Sequence, residues 1–189
     1  MRDQRLTAAM VLALLSGTAY AADWSGVIGN WNDPSQWSPM NVPNVAGESA
    51  VLPNGMYTLT LNTSITIDSL TINGPDAMLD MPAPWVITML GDIHNDGLIR
   101  MATINSASDS VIQFGADALL TGTGEILLIR TGNDNRLETL PGFTVTNDVN
   151  HTIRGGGDIN AQLVNNGTIV ADINWMTIAG NRKVNNGLM

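Results

Sequence analysis

The segment LVNNGTI, residues 163–169, has close counterparts in IHNDGLI at residues 93–99 and KVNNGLM at residues 183–189. Each unit contains Asn, then Asn or Asp, then Gly, any residue and an apolar residue. The last two units are 20 residues apart, within the coil length of known solenoid repeats. The recurrence therefore predicts a chain that winds into β-coils of about 20 to 25 residues.

An Asn-Gly pair between apolar residues is also the strongest short signal for a β-hairpin. That interpretation gives a β-sandwich, or a barrel, made of hairpins. The solenoid is favoured because the units recur with similar flanks and because the strand runs are short. Asn before Gly is also expected if Asn side chains stack from coil to coil and bond to the turns. The sequence thus predicts an all-β, right-handed parallel β-helix, with a β-sandwich as the alternative.

Period-two alternation indicates strands along the chain. In YTLTLNTSITIDSLTIN, residues 57–73, apolar residues alternate with Thr and other polar residues, as in a half-buried strand. The alternation slips at Asp68 and resumes at Leu70. Because a one-residue slip turns every side chain to the other face, we expect the strand to end or turn there. Further strands are expected near residues 85–89, 98–101, 111–114, 125–129, 143–146, 162–164, 168–170 and 176–178.

The first 21 residues have the features of a secretory signal peptide. Arg2 and Arg5 precede a mainly apolar run at residues 6–15, and Ala-Tyr-Ala at residues 19–21 is a small-x-small cleavage site. We therefore expect a mature chain from Ala22, located outside the cell or at the outer membrane of a bacterium. No later apolar run approaches about 18 residues, so no membrane-spanning helix is expected after the signal.

The charge and the lack of cysteine limit the partners and the means of stabilisation. The net charge is −9, and without a basic patch the chain cannot displace counterions from phosphates. Nucleic acid is therefore not expected as a partner. A secreted chain with no cysteine must be stabilised by repetition, packing or bound ions.

Three tryptophans lie before the first strong strand, in a segment interrupted by prolines: Trp24, Trp31 and Trp37. They form either a cap that shields the first coil or an aromatic platform for sugars. The cap is favoured because buried aromatic residues are the more common use and because a solenoid end is an exposed edge. Trp85 and Trp175 are expected to pack in the core or against a face. The chain is accordingly divided into a signal peptide (1–21), a Trp/Pro-rich cap (22–55) and β-helix repeats (56–189).

Three stretches carry a family resemblance: WSGVIGNWNDPSQW at 24–37, VPNVAGESAVL at 42–52 and TIRGGGDINAQLVNNGTIVA at 152–171. Together they resemble the β-helical passenger or stalk regions of bacterial surface proteins, of the autotransporter-adhesin or exosortase-sorted type. The resemblance implies a secreted, surface-exposed parallel β-helix and brings no catalytic residues. The chain departs from both types because it reaches Met189 without their C-terminal anchors. We therefore expect a fragment, a small free protein or part of an assembly, with possible self-association through an open solenoid end.

No hydrolase nucleophile motif or phosphate-binding loop is present, and GGG at 155–157 indicates a turn. His94 and His151 each lie beside a turn and are expected to be solvated, and no structural zinc site is expected. Some secreted β-helices act on polysaccharides through clustered carboxylates. The carboxylate candidates are Asp76 with Asp80, Asp92 with Asp96, and the weakly calcium-loop-like segment NDNRLE at 133–138.

Arg100, Arg130 and Arg154 each follow an isoleucine and would line up on one edge of a solenoid, although solvated corner arginines are the simpler interpretation. Thr-x-Thr segments do not recur at coil spacing, which disfavours ice binding. Since no acid, base and cation converge, we predict a non-catalytic structural or adhesin-like module without metal or cofactor. Its expected partners are glycans or other cell-surface components. The alternative is a small polysaccharide-binding or polysaccharide-degrading β-helix.

Overall fold

The computed structural model describes residues 20–102, 108–130, 135–180 and 182–189. Their regular structure consists of short strands and one 3-10 helix, Pro34–Gln36. In chain order the strands are β1 (Tyr20–Trp24), β2 (Gly29–Asn30), β3 (Trp37–Ser38), β4 (Glu48–Leu52), β5 (Tyr57–Thr60), β6 (Ile65–Ile67), β7 (Ser69–Ile72), β8 (Ala77–Pro82), β9 (Val86–Met89), β10 (Ile93–Asn95), β11 (Leu98–Ala102), β12 (Val111–Phe114), β13 (Ala118–Thr121), β14 (Glu125–Ile129), β15 (Arg136–Thr139), β16 (Val145–Asn147), β17 (Thr152–Gly155), β18 (Asp158–Ile159), β19 (Leu163–Asn165), β20 (Thr168–Val170), β21 (Thr177–Ile178) and β22 (Lys183–Asn185).

The strands form three sheets around one core, which we call faces A, B and C. Face A has the order β22-β19-β16-β13-β10-β7-β4-β1-β3, face B β2-β5-β8-β11-β14-β17-β20, and face C β21-β18-β15-β12-β9-β6. From β4 onward the chain visits A, B and C in turn, and neighbours in a sheet come from successive coils and run parallel. The predicted all-β solenoid is confirmed. The β-sandwich alternative is wrong, because the Asn-Gly units lie at corners between faces instead of joining hairpin strands.

Alternating burial along each strand builds the core. Leu59 and Ile67 point inward with no exposed surface, whereas Thr58 and Thr66 lie on the outside. The slip at Asp68 is a corner between face C and face A, where β6 ends and β7 begins. A single residue at this bend restores the inward direction of the next apolar side chains, which is the physical reason for the slip.

Coil length is not constant. Successive coils are offset by 18 residues between Asn147 and Asn165, and by 27 residues between His94 and Thr121. The strands remain in register, so the extra residues are accommodated in the corners. Pairs of residues that meet across coils therefore cannot be found from a fixed repeat length.

Asn side chains form a ladder inside the corner between faces A and B. Asn147, Asn165 and Asn185 occupy the same register on consecutive coils. Asn147 Nδ2 donates to Asn165 Oδ1 at 2.8 Å, and Asn165 Nδ2 donates to Asn185 Oδ1 at 2.7 Å. Asn165 Nδ2 also lies 3.3 Å from the Gly167 carbonyl oxygen of its own turn. The expected coil-to-coil stacking of Asn is confirmed, and it satisfies buried polar groups that would otherwise be costly.

His151 continues this ladder, so the expectation that it is solvated is wrong. Its side chain is fully buried. The ring nitrogen Nδ1 lies 2.7 Å from Asn147 Oδ1, and Nε2 lies 3.4 Å from Asn95 Nδ2. The imidazole thus reaches across the coil that contains Gly122 and Gly124, where no side chains stand in its way.

The Trp/Pro-rich segment caps the first coil, as predicted. Trp24, Trp31 and Trp37 are buried, and their ring centroids lie 5.1 Å and 4.9 Å apart in the two neighbouring pairs. Each indole N–H donates to a backbone carbonyl, as Trp37 Nε1 does to Trp31 O at 2.8 Å. Antiparallel pairing of β3 on β1 covers the edge of face A. These rings therefore close the core and are not a platform for sugars.

The N-terminal segment is only partly visible in the described structure. Residues 1–19, most of the expected signal peptide, lie outside the described residues. Tyr20 and Ala21 belong to β1 and pair with Glu48 and Ser49 of β4. Thus β4, within the segment assigned to the cap, already belongs to the stacked coils. In the described part of the chain no helix has the length and apolar character needed to cross a membrane.

Candidate functional site

Aspartates stand at the corner between faces C and A, where each begins a new coil. Asp92 Oδ1 accepts the backbone N–H of Leu119 at 2.8 Å, and Asp117 Oδ1 accepts that of Thr144 at 2.8 Å. Asp68 binds Gly47 N in the same way at 2.9 Å. These carboxylates satisfy backbone donors of an adjacent coil, so their first role is to hold the corner together.

A shallow groove of about 270 Å³ follows this corner. Asp92 and Asp117 line it together with Leu119, Thr144 and Thr146. The groove offers carboxylate oxygens and hydroxyl groups beside one exposed leucine. Asp96, which the sequence paired with Asp92, lies at the other end of β10 on the A–B corner, so the structure does not join these two carboxylates into one site.

The A–B corner contains a hydrogen-bonded set that was not predicted. His94 Nδ1 lies 3.1 Å from Thr121 Oγ1, and His94 Nε2 lies 3.1 Å from Asp96 Oδ2. Asp96 Oδ1 also accepts the backbone N–H of Thr123 at 2.9 Å and its hydroxyl at 3.1 Å. The Thr123 N–H is the main cause that lowers the pKa of Asp96 below its ordinary value, with His94 contributing.

The order hydroxyl, imidazole, carboxylate is that of a hydrolase relay, but its surroundings are unlike one. A relay needs backbone N–H groups free to bind an oxyanion. At this corner the N–H of Thr123 is already bound to Asp96. The His94 side chain is 45% exposed, so water competes for every contact it makes. This set is best understood as a cross-coil clamp.

A second groove of about 320 Å³ lies on the same corner. It is lined by Asp96, Thr123, Glu125 and Thr152, with Gly97 and Gly124 forming part of its floor. The lining is mainly polar, and its side chains come from three coils. Such a groove can accept hydrogen bonds from an extended polar ligand.

The three arginines have different partners. Arg100 and Arg154 lie in one outward row of face B with Leu127 between them. Arg100 Nε bonds to Asp80 at 2.8 Å. Arg154 grips Glu125 through Nε at 2.7 Å and Nη2 at 2.9 Å. The expected alignment thus holds for two arginines, and the pKa values of both guanidinium groups are raised mainly by these hydrogen bonds.

Arg130 lies outside that row, at the corner between faces B and C. Its guanidinium carbon is 5.0 Å from the centroid of the Trp175 ring. Trp175 is 66% exposed, so the prediction that it packs in the core is wrong. Trp85 is partly buried and packs against the core, as expected.

The calcium-loop-like segment at 133–138 is only partly described, because residues 131–134 lie outside the described residues. Glu138 Oε1 accepts a hydrogen bond from Gln113 Nε2 at 2.8 Å, and Glu138 Oε2 lies 3.5 Å from Arg136 Nε. In the described residues no group of three or more His, Cys, Asp or Glu side chains is arranged to hold a metal ion.

Asp76 and Asp80 also have separate surroundings. Asp80 is paired with Arg100 on face B. Asp76 lines a groove of about 370 Å³ that is largely apolar and includes Ile28 and Met56. Those two side chains are 78% and 90% exposed. The carboxylate pair proposed from sequence is therefore not a catalytic pair.

Comparison with protein-family models, with curated proteins and with solved structures finds no match to this chain.

Proposed function

We propose that this protein is an exported, non-catalytic β-solenoid that acts as a structural or adhesin-like module at the bacterial cell surface or outside the cell. The observation that carries the proposal is the use made of its charged side chains. Asp92 and Asp117 bind backbone N–H groups, while Arg100 and Arg154 bind carboxylates of other coils. Groups that would serve as acid, base or cation in an enzyme instead join coils.

The mechanism that follows is presentation. Stacked coils form a stiff support, and the outward side chains of three faces are held at fixed spacing by the strand register. Shallow grooves at the corners and exposed side chains each offer a weak contact. Several such contacts, repeated over many copies of the protein, give a useful overall affinity.

Export rests on the sequence features of residues 1–21. The test is to express the full chain and a chain lacking residues 1–21 in a bacterial host and to follow both by immunoblot after cell fractionation. We expect the full chain outside the cytoplasm, shortened by processing near Ala22, and the truncated chain in the cytoplasm. An unprocessed full chain that remains in the cytoplasm would contradict the proposal.

Adhesion needs a separate test on purified, folded protein. Protein-coated beads are incubated with whole cells and with immobilised cell-surface glycans, and uncoated beads serve as the control. We expect retention that rises steeply with coating density, because individual contacts are weak. Retention that does not depend on density, or is absent from every surface, would argue against an adhesin-like role.

The second candidate function is that of a small polysaccharide-binding or polysaccharide-degrading protein. The polar groove lined by Asp96 and Glu125 is the observation that favours it. Reducing-sugar release from acidic polysaccharides, with and without calcium, separates the two candidates. Turnover that is abolished by Glu138→Gln or Glu125→Gln would replace the adhesin-like proposal with an enzyme.

A further inference from the structure

Residues 171–176 form the corner between β20 and β21 and present one large aromatic side chain to solvent. Trp175 is 66% exposed, whereas the three cap tryptophans are buried. The preceding residue, Asn174, has a φ of +66°, and among described residues it is the non-glycine residue with positive φ. This backbone conformation is unfavourable for most side chains and persists where surrounding contacts enforce it.

A bed of glycines in the preceding coil lets this loop lie close to the solenoid. At Gly156 an added Cβ would overlap the Ile173 carbonyl oxygen and would lie 3.2 Å from that of Trp175. Ile173 N donates to Gly155 O at 3.4 Å. The three glycines at 155–157, which the sequence indicated only as a turn, therefore provide the seat on which the loop rests.

Three further contacts fix the loop at both ends. Asp172 Oδ2 receives Arg154 Nη1 at 3.2 Å, and Asn174 Nδ2 donates to Arg130 O at 3.3 Å. The Arg130 guanidinium lies over the Trp175 ring at 5.0 Å from its centroid. One side of the indole is thus held by a cation, and the rest of the ring remains in water.

We propose that Trp175 is a binding site for a neutral pyranose ring of a glycan, which stacks on the solvent-facing side of the indole. The face of an aromatic ring carries partial negative charge, and the C–H groups of a pyranose face are its complement. Asp172 and Asn174, on the same loop, supply an acceptor and a donor for sugar hydroxyl groups. The proposal rests on the proposed function for the origin of its glycan, and it names the ligand class of the adhesin-like module.

Charge and preorganisation both favour this ligand over others. The net charge of −9 repels anionic ligands, including acidic sugars and phosphates. Because the loop is already anchored by Arg154, Arg130 and the glycine bed, little conformational freedom remains to be lost when a sugar binds. A flexible tryptophan on a loose loop would lose that advantage.

The test is a titration of the purified, folded protein with neutral cello-, malto- and manno-oligosaccharides, followed by tryptophan fluorescence and calorimetry. Because the cap tryptophans are buried, a fluorescence change on binding reports mainly Trp175. We expect saturable binding, which Trp175→Ala weakens by about tenfold or more and Trp175→Phe weakens less. Met56→Ala removes an equally exposed side chain elsewhere and should leave binding unchanged.

Two results would overturn the proposal. One is equal binding by wild-type protein and Trp175→Ala, with both shown to be folded by circular dichroism. The other is no saturable signal with any neutral oligosaccharide, including the case in which only an apolar peptide probe binds. The titration uses purified protein, so failure of export removes the proposed function without changing this result, and failure of the titration leaves export standing.

Discussion

His151 shows at the scale of one residue how the interior depends on protonation. With no exposed surface, its ring lies between Asn147 Oδ1 and Asn95 Nδ2. These partners fit a neutral imidazole that donates from Nδ1 and accepts at Nε2. Burial lowers the pKa of His151 from its ordinary value of 6.5 to about 4, and the carboxylates of Asp148 and Glu125 oppose this change only in part.

The free energy of unfolding should therefore fall as the solution is acidified. Because the folded pKa lies below the unfolded one, the unfolded chain binds the proton first, and stability is lost between pH 6.5 and about 4. The full loss from this group is about 3 kcal/mol. Urea unfolding at closely spaced pH values, for wild type and for His151→Asn, measures it as the pH-dependent part of the difference between the two proteins.

His94→Gln is the matched control, since His94 lies on the surface of the neighbouring corner. This variant should keep the pH dependence of the wild type over the same window. A difference between wild type and His151→Asn that stays constant from pH 7.5 to 4 would show that the buried imidazole is not the source. The comparison removes the contribution of carboxylates that titrate in all three proteins.

At the scale of the structural element, the corners require close approach of backbone to backbone. Gly122 and Gly142 share a φ of +96°, but their surroundings differ. A Cβ at Gly122 would overlap the Asn95 carbonyl oxygen, whereas nothing lies within 4 Å of one at Gly142. Gly142→Ala should cost about 1–2 kcal/mol from backbone strain alone.

Gly122→Ala should cost several kcal/mol more, because it also forces adjacent coils apart at the inner corner. Thermal and urea unfolding of the two variants measures the difference, which isolates coil-to-coil packing from the left-handed backbone. Equal destabilisation by the two substitutions would mean that the coil next to Gly122 moves away freely. That result would contradict the tight corner that the structure describes.

The aromatic cap is a second element whose contribution can be measured. Trp37 packs against Trp24 and Trp31 and begins β3, which covers the edge of β1. Trp37→Ala should lower the free energy of unfolding by about 3–5 kcal/mol, as expected for a buried tryptophan. It should also increase self-association, seen by light scattering, because the covered edge becomes available for pairing.

Trp175→Ala is the control for the cap, since it removes an exposed ring. Its stability should stay within about 0.5 kcal/mol of wild type, and its light scattering should not change. A Trp37→Ala protein as stable and as monodisperse as Trp175→Ala would assign the shielding of the edge to β3 backbone pairing alone.

At the scale of the whole molecule, the sequence predicted the strands better than the contacts between coils. Residues 111–114, 125–129 and 168–170 were predicted as strands with the observed bounds, because alternation is a local property of one strand. His151 and Trp175 were misplaced because each meets residues from another coil. Those meetings depend on coil lengths that vary from 18 to 27 residues, and no local pattern specifies them.

The same separation of local and cross-coil information applies to the candidate site. GGG at 155–157 was recognised as a turn, but its role as a seat depends on Ile173 in the following coil. The clamp of His94 with Thr121 joins residues 27 apart, and neither residue has a distinctive neighbour in sequence. Contacts of this kind become visible only when the register of adjacent strands is known.

Because each coil contacts mainly its neighbours, stability should vary along the solenoid instead of being uniform. Inward residues of β10 to β14 are fully or nearly fully buried, whereas β21 and β22 contain only exposed and half-buried residues. Native-state hydrogen exchange should therefore give the slowest amides in β10 to β14 and the fastest ladder amides in β21 and β22. Amides of β1, beneath the tryptophan cap, should exchange slowly, and Trp37→Ala should accelerate them selectively. Equal protection in all strands would instead identify the described coils as one cooperative unit, in which loss of the cap would be felt equally at β22.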